Sequence, residues 1–521
     1  MKRLISLLLA LLLMLLCVGC AGTTPATGND GQGTEGNGKK PVEEEVVTAS
    51  SELKAVEGDR LAADDMAYVM IYNPHVYYEV LGNDNEKLSV GSFGDQIDVG
   101  MFRGEEEEIE IPFNPITPGE VSPDFDELEL GQSRAEVTIT PYQVGDICDF
   151  YAFDGGEDIF TQSPTVSNQT FVCRYAGKYG NIWTTENSSA MSDAIVEAYG
   201  EEVDNNIYEA VTETFGPIRF ADNGGKVNIL MCALPAGYLG VSRTGDALAS
   251  DEISPYEAEF YGINTDHAIV YVNEKEAAAS QYMEMTFGTI AHELQHNACT
   301  AATLSRYDML FMNTWINEAM SGYIEENLYP GSKDVNGHIR SFNRSEQVRS
   351  GQSLYNFNTD YDIGVYGSVY FYSEYLASLG GKEAFSRLYE YWTECYDNDF
   401  SEPAAVLTAV GEDAVDEIDD RISYPDDIQF NYADEEQFSK LTLDFYLSML
   451  SYDNEDPDAF SKIEPMALLY GEINPANIEG GGRVIVALKD AEYVIPDDAD
   501  EGLIYIGLDE DFRPVTDLLY H

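Results

Sequence analysis

Histidine is scarce in this 521-residue chain: six residues, at positions 75, 267, 292, 296, 338 and 521. Basic residues are few as well, with 28 Lys and Arg against 94 Asp and Glu, for a net charge of −66. That balance repels nucleic acid and anionic membrane surfaces, and argues against both as partners of the folded part. The seven cysteines contain no C-x-x-C pair, so no cysteine-rich zinc module is expected. Beyond the N-terminus no stretch is long and apolar enough to span a bilayer. No internal repeat is visible, which argues against solenoid and propeller classes.

What is present is globular. Aromatics reach 12%, with 35 Tyr, whereas disordered chains are poor in them. The length suggests two or three domains. The acidic surface favours solubility, cation binding and a basic or neutral substrate, and Ca2+ is one ion it would suit.

Residues 1–20 read as a targeting segment. Lys2 and Arg3 form its positive end, and Leu4 to Leu16 a 13-residue apolar run too short for a membrane span. Val18-Gly19-Cys20 resembles the lipobox of bacterial lipoproteins, although Cys17 stands where Leu is usual. The resemblance implies lipidation of Cys20, membrane attachment through it, and a place on the extracellular face of the envelope. Residues 21–46, rich in Gly, Thr and Asn, read as a flexible tether. Five cysteines then remain, so at least one is unbridged within the chain. Cys148 and Cys173 are placed to bridge neighbouring strands.

The expected fold class is α+β. Residues 47–175 show short alternating runs (Met66 to Tyr72, Val76 to Val80, Glu108 to Ile111, Ala135 to Thr140) broken by turn residues, the pattern of a β-sandwich-like domain. The acidic run Glu105 to Glu108 reads as a solvated loop or strand edge. Over 176–455 helical periods dominate: Ala190 to Phe215, Met283 to Ala298, Thr314 to Glu326, Val369 to Leu379, Ala384 to Tyr391, and Ser439 to Ser451. Strands are expected at Val227 to Met231 and Ala268 to Val272. Residues 456–521 return to strands, at Val484 to Ala487, Ala491 to Val494 and Leu503 to Ile506, and read as a small β-subdomain.

His292-Glu293-Leu294-Gln295-His296 is an H-E-x-x-H sequence. On a helix, the two His at i and i+4 lie one turn apart on one face and can reach a single ion. Phe287, Ile290, Ala291, Leu294 and Ala298 supply the apolar stripe such a helix needs. Glu293 sits beside the ligands but is turned enough to hold a water. With His this rare, chance produces the motif in only ~1% of such chains.

Downstream, Trp315-Ile316-Asn317-Glu318-Ala319 opens a second helix. Asn-Glu-Ala followed by small residues and an aromatic resembles the second zinc helix of gluzincins, the group of thermolysin-like, aminopeptidase-N-like and hyicolysin-like peptidases. The resemblance covers roughly 140–455, is strong over 291–326, and leans to the hyicolysin-like enzymes through Val144 to Asp154 and Thr170 to Thr184. It implies a thermolysin-like, mainly helical catalytic domain and Glu318 as third ligand beside His292 and His296, holding one catalytic Zn2+ with an open position for water. Glu318 lies 22 positions after His296, slightly more than in the better-known members. Glu325 and Glu326 are weaker ligand candidates. A carboxylate orienting a ligand His is expected, but the family's position for it, four after the Glu, is Gly322 in this chain.

Val365-Tyr366-Gly367-Ser368, before the helix ending at Gly380-Gly381, resembles the region where a Tyr donates to the oxyanion, which marks Tyr366, with Tyr361, Tyr370 and Tyr372 as fallbacks. The strand Ala268 to Val272 matches the place of the edge strand on which a peptide substrate adds. The expected activity is therefore zinc-dependent hydrolysis of peptide or protein substrates, with Glu293 as general base. The aminopeptidase signature Gly-x-Met-Glu-Asn is missing before the zinc helix, where Tyr282-Met283-Glu284-Met285 stands, and this leans towards an endopeptidase. The competing reading is a surface adhesin or substrate-binding lipoprotein with a non-catalytic metal site, for which Glu293 would have no use.

Overall fold

The computed structural model describes residues 53–76, 88–92, 96, 141–155, 166–186, 188–220, 226–235, 238–305, 312–329, 351–355, 364–381, 383–395, 401–425, 428, 430, 434–450 and 477–521. They form a mixed structure of helices and sheets, the expected α+β class. The segments around Glu108 and Ala135, and most of Val76 to Val80, lie outside the described residues.

The strands are β1 (Leu53–Glu57), β2 (Arg60–Ala62), β3 (Tyr68–Tyr72), β4 (Leu88–Ser89), β5 (Ile147–Phe153), β6 (Val166–Ala176), β7 (Gly180–Thr185), β8 (Val227–Cys232), β9 (Gly240–Ser242), β10 (Ala268–Asn273), β11 (Ile422–Ser423), β12 (Asn477–Ile478), β13 (Arg483–Ala487), β14 (Glu492–Val494), β15 (Ile504–Leu508) and β16 (Leu518–Tyr520). The helices needed below are α1 (Asp193–Glu202), α2 (Tyr208–Phe215), α3 (Pro255–Tyr261), α4 (Glu274–Ala277), α5 (Met283–Ser305), α6 (Thr314–Leu328), α7 (Gly364–Gly380), α8 (Ala384–Glu394), α9 (Glu402–Val410), α10 (Glu412–Arg421) and α11 (Glu435–Leu450).

One six-stranded sheet has the order β11-β1-β16-β15-β3-β13. In β3, Tyr68, Met70 and Tyr72 enter the large core shared with the helices, while Val69 and Ile71 enter a second core on the opposite face. A strand buried on both faces needs an unbroken apolar run, which is what Tyr68 to Tyr72 supplies. Tyr72 fastens this sheet to α11 by donating to Ser439 O at 3.0 Å.

A second sheet has the order β5-β6-β7-β8-β10-β9. β5, β6 and β7 form an antiparallel meander; β7, β8 and β10 run parallel, and β9 closes antiparallel on β10. The parallel step from β7 to β8 needs a crossover, and the helical stretch 193–215 provides it. That stretch departs from the single expected helix: a five-residue π-helical turn, Val203–Ile207, separates α1 from α2. The Asp204 carboxylate in this turn accepts the backbone N–H groups of Lys178, Tyr179 and Gly180 at 2.6, 2.7 and 3.0 Å, so it caps the β6–β7 hairpin.

Sheet membership does not follow the expected divisions at 175 and 456. Strands from 53–72 pair with strands from 483–520, and β5 to β7 pair onward to β8 and β10. Position 175 falls inside β6. Alternation marks a strand locally but carries no information about a partner hundreds of residues away. Likewise Cys148 opposes Phe171 and Cys173 opposes Trp183, so the two thiols are set diagonally and are not bridged. Among the described residues, no helix is long and apolar enough to cross a membrane.

Candidate metal centre

α5 is buried on nearly all sides from Met285 to Thr303. Ile290, Ala291, Leu294 and Ala298 of the expected stripe are fully covered, and Asn297 Nδ2 ties the helix to β10 by donating to Ile269 O at 3.1 Å. On this fixed helix the imidazoles of His292 and His296 lie one turn apart, ring centroids 4.8 Å from each other and planes at 80°. Both are buried.

α6 delivers the third group. Trp315, fully buried near its start, donates from Nε1 to Glu402 of α9 at 3.1 Å. One turn later Glu318 faces the two imidazoles. Its Oε2 is 3.3 Å from His292 Nε2 and its Oε1 is 3.7 Å from His296 Nε2. One donor atom from each of the three residues lies within 4.8 Å of the others, and among the described residues this is the one such group of three or more His, Cys, Asp or Glu.

These residues fit zinc. A tetrahedral ion with ligands at roughly 2.0–2.2 Å spaces neighbouring donors about 3.3 Å apart, which matches the Nε2-to-carboxylate separations. Protonation fits too. Burial pushes the His296 imidazole down to about 4, with the neighbouring His292 adding to the effect and Glu318 and Asn317 opposing it. The ring is therefore neutral at physiological pH, the form that binds a metal.

The far side of the His292 ring is anchored. His292 Nδ1 donates to Glu325 Oε2 at 3.2 Å. This fixes the tautomer that turns the Nε2 lone pair towards Glu318. Glu325, expected only as a weak ligand candidate, thus stands where a carboxylate orienting a ligand His would stand. The available signal was helical phase, since residue 325 is seven positions after 318 and returns to the same face of α6. Gln295, inside the H-E-x-x-H sequence, donates from Nε2 to Asn317 Oδ1 at 3.1 Å and joins α5 to α6 beside His296.

Glu293 is fully buried. It faces β9, where a Cβ placed on Gly240 would lie 3.0 Å from Glu293 Cγ and 3.3 Å from Oε1. Here the structure corrects an expectation. β10, at Ala268 to Val272, is not the edge of the sheet, because β9 pairs outside it through Val272↔Gly240, Tyr271↔Val241 and Val270↔Ser242. β9 is only three residues long, too short to show a period in the sequence. Asn273 N–H donates to Leu239 O at 2.8 Å, so 239 and 273 form a hydrogen-bonded pair. Such pairs alternate in antiparallel sheets, which leaves the backbone N–H and C=O of Gly240 and Ser242 pointing away from β10, on a strand that is buried throughout.

Tyr366 is buried in the first turns of α7. One turn on, the Tyr370 ring lies beside Gly322 of α6, 3.9 Å from where a Cβ would stand. Of the fallback tyrosines, Tyr372 is packed among Trp315, Tyr355 and Phe445 as a core residue, and Tyr361 lies outside the described residues.

No family model matches the chain. A search of curated proteins finds a neutral metalloprotease, ShpI of Staphylococcus hyicus, 28% identical over 218 residues. The match spans 39% of this chain and 46% of that protein, so the chain covers about half of its relative's length. Among solved structures, a yeast LTA4 hydrolase in complex with bestatin aligns over 55% of this chain and 46% of that one, at 12% identity and a TM-score of 0.28. At that score the structural likeness carries no weight.

Proposed function

We propose that this protein is a zinc-dependent peptidase that cleaves internal bonds of extracellular peptides or proteins and is held at the outer face of a bacterial envelope by lipidated Cys20. The observation that carries the reading is the convergence of His292, His296 and Glu318 on one point with Glu293 on the same helix. The partial likeness to a neutral metalloprotease supports it.

His292, His296 and Glu318 would hold the zinc, and the ion would supply Lewis-acid chemistry, polarising a carbonyl and activating a water. Glu293 takes the proton of the attacking water and passes it to the leaving amine. The Tyr366 hydroxyl donates to the oxyanion that develops on the scissile carbonyl. A substrate in extended form adds along the side of β9 away from β10, hydrogen-bonding to Gly240 and Ser242, which brings its backbone past Glu293.

The test is metal analysis of the purified protein joined to cleavage-site mapping on a mixed peptide pool, with and without chelator, for wild type and Glu293→Gln. Expected are bound zinc in both proteins, chelator-sensitive internal cleavage by wild type, and none by the variant. A zinc-loaded wild type that cleaves nothing would move the protein to the adhesin or binding-lipoprotein reading. Mass spectrometry of the N-terminal peptide from cells tests lipidation of Cys20 separately.

A further inference from the structure

α3 is a well-built helix that fully buries none of its residues. Ser254 caps its N-terminus in a reciprocal capping box with Glu257, Pro255 holds its first position, and Gly262 ends it in the left-handed region at φ 63°. Each device fixes a helix end. Tyr256 and Phe260, one turn apart, are nevertheless 74% and 67% exposed. Their ring centroids are 6.1 Å apart and their planes at 20°. Among the described residues they are the only exposed aromatic side chains. Two rings held side by side in water on a fixed helix mark a surface for recognition, not one left over from packing.

α3 is fastened to the end of β9. Arg243, the residue after that strand, is buried and donates to Tyr261 O at 3.0 Å and to Gly262 O at 2.8 Å. The start of β9, at Gly240, lies against Glu293. From Gly240 to Arg243 is about 10 Å of strand, and the Arg243 side chain spans the rest. α5 gives a second measure. Ala258 and Tyr261 of α3 pack with Leu304 of α5 around Leu248, Ile253 and Ile263. Leu304 follows Glu293 by eleven positions (304 minus 293), which is ~16 Å along the helix axis. α3 therefore stands on the order of 15–20 Å from Glu293, about five or six residues of extended chain.

Charge narrows the occupant. Across 244–266 there are Asp246, Asp251, Glu252, Glu257, Glu259 and Asp266, and no Lys or Arg. Glu259, on the same turn as the two rings, is exposed. Ring faces and carboxylates attract the same group, a Lys ammonium or an Arg guanidinium. A second copy of this chain, at a net charge of −66, and an anionic lipid surface are both repelled. We infer that Tyr256, Glu259 and Phe260 form an outer subsite for a Lys- or Arg-bearing stretch of the polypeptide substrate, about five or six residues from the bond that is cut. Its place on a substrate path rests on the peptidase reading, but the binding itself is measurable without cleavage.

The test uses full-length, zinc-loaded Glu293→Gln protein and a fluorescein-labelled dodecapeptide of Gly and Ser with Arg at every third position. Adding Tyr256→Gln and Phe260→Gln should weaken its binding, read by anisotropy, about 10-fold. Val494→Gln, which alters an exposed apolar residue of β14, should not. The same peptide with Glu for each Arg should bind poorly to the parent and to the doubly substituted protein alike. Removing the two rings should leave the unfolding temperature unchanged, since neither is buried. Equal binding of the Arg peptide with and without the rings overturns the inference. So does a drop of several degrees in unfolding temperature, which would assign the rings to the fold. So does a parent that sediments as a dimer while the ring-less protein sediments as a monomer, which would assign them to a second copy. A kinetic arm compares proteins that retain Glu293 on a mixed peptide pool. The wild-type preference in kcat/KM for Lys or Arg about five or six residues from the cut should shrink about 10-fold without the rings. No such preference, or one that persists, refutes the subsite and leaves the peptidase reading standing. A wild type that cleaves nothing ends the peptidase reading instead, and the binding arm still decides whether the rings hold a basic chain.

Discussion

Glu325 and His292 are 33 residues apart in the chain and 3.2 Å apart in space, the carboxylate accepting from Nδ1 of the ring whose Nε2 faces Glu318. Both groups are buried. The bond holds the imidazole in one tautomer and one orientation before any ion arrives. Removing it leaves Nδ1 without its partner and lets the ring rotate. Glu325→Ala should therefore weaken zinc binding by about 10–100-fold, the usual effect of losing an orienting partner. Competition against a chelator of known affinity measures this, and unchanged affinity would deny Glu325 the role.

Tyr366→Phe removes one hydroxyl and leaves the ring. If that hydroxyl donates only to the developing oxyanion, kcat should fall roughly 100-fold or more while KM and zinc content hold. Tyr372→Phe on the same helix is the control: its ring packs against Trp315 and Phe445, so it should affect stability and leave kcat near wild type. Equal kcat losses in both variants would mean that the effect travels through α7 and not through an oxyanion contact.

The three groups that converge are far more legible in the sequence than the sheets around them. His292 and His296 stand out because His is rare and because i, i+4 spacing has one meaning on a helix. Glu318 was found through its immediate neighbours, Asn317 and Ala319. Glu325 was not found: in a chain with 94 acidic residues a carboxylate two turns on has no distinguishing mark, and Glu326 beside it is equal by composition. Only the phase of α6 separates the two. β9 was missed for another reason. Three residues, Gly240-Val241-Ser242, carry no alternation, and their place outside β10 is decided by contacts with α5 that no local pattern records. The π-helical turn at Val203 likewise presents Asp204 to a hairpin some 25 residues earlier, a contact no local pattern records.

Metal removal should cost stability as well as activity. Two buried imidazoles and a carboxylate converge on one point, an arrangement that a bound cation stabilises and that the unfolded chain lacks. Zinc held 100-fold above its dissociation constant adds about 2.7 kcal/mol to the folded state. Chelator should lower the Tm by several degrees, and stoichiometric zinc should restore it. His296→Ala should show a much smaller zinc-dependent gain. A Tm indifferent to chelator in the wild type would argue that no ion is bound there.

Glu402 makes the stability of the α6 anchor depend on pH. It sits in the first turn of α9, almost fully buried, and receives the indole N–H of Trp315, three residues before Glu318. Burial raises its carboxyl from the ordinary 4.5 to about 7, even though hydrogen bonds from Trp315 and Asn313 pull the other way. Between those two values the folded protein keeps a proton that the unfolded chain has released. Unfolding there releases a proton, so stability falls as pH rises. The contribution of the neutral carboxyl is complete below about 4.5 and is lost as pH passes through about 7. Over that window the change is about 3 kcal/mol. Glu402→Gln keeps the acceptor for the indole but cannot ionise. The two proteins should differ little in urea unfolding at pH 5, and the variant should be the more stable by pH 8. Comparing them isolates Glu402 from other raised carboxyls such as Glu374, which burial also brings to about 7. A difference between the two proteins that does not change with pH would show that this carboxyl is already ionised at the bottom of the window, with Trp315 holding the charge and not the neutral acid.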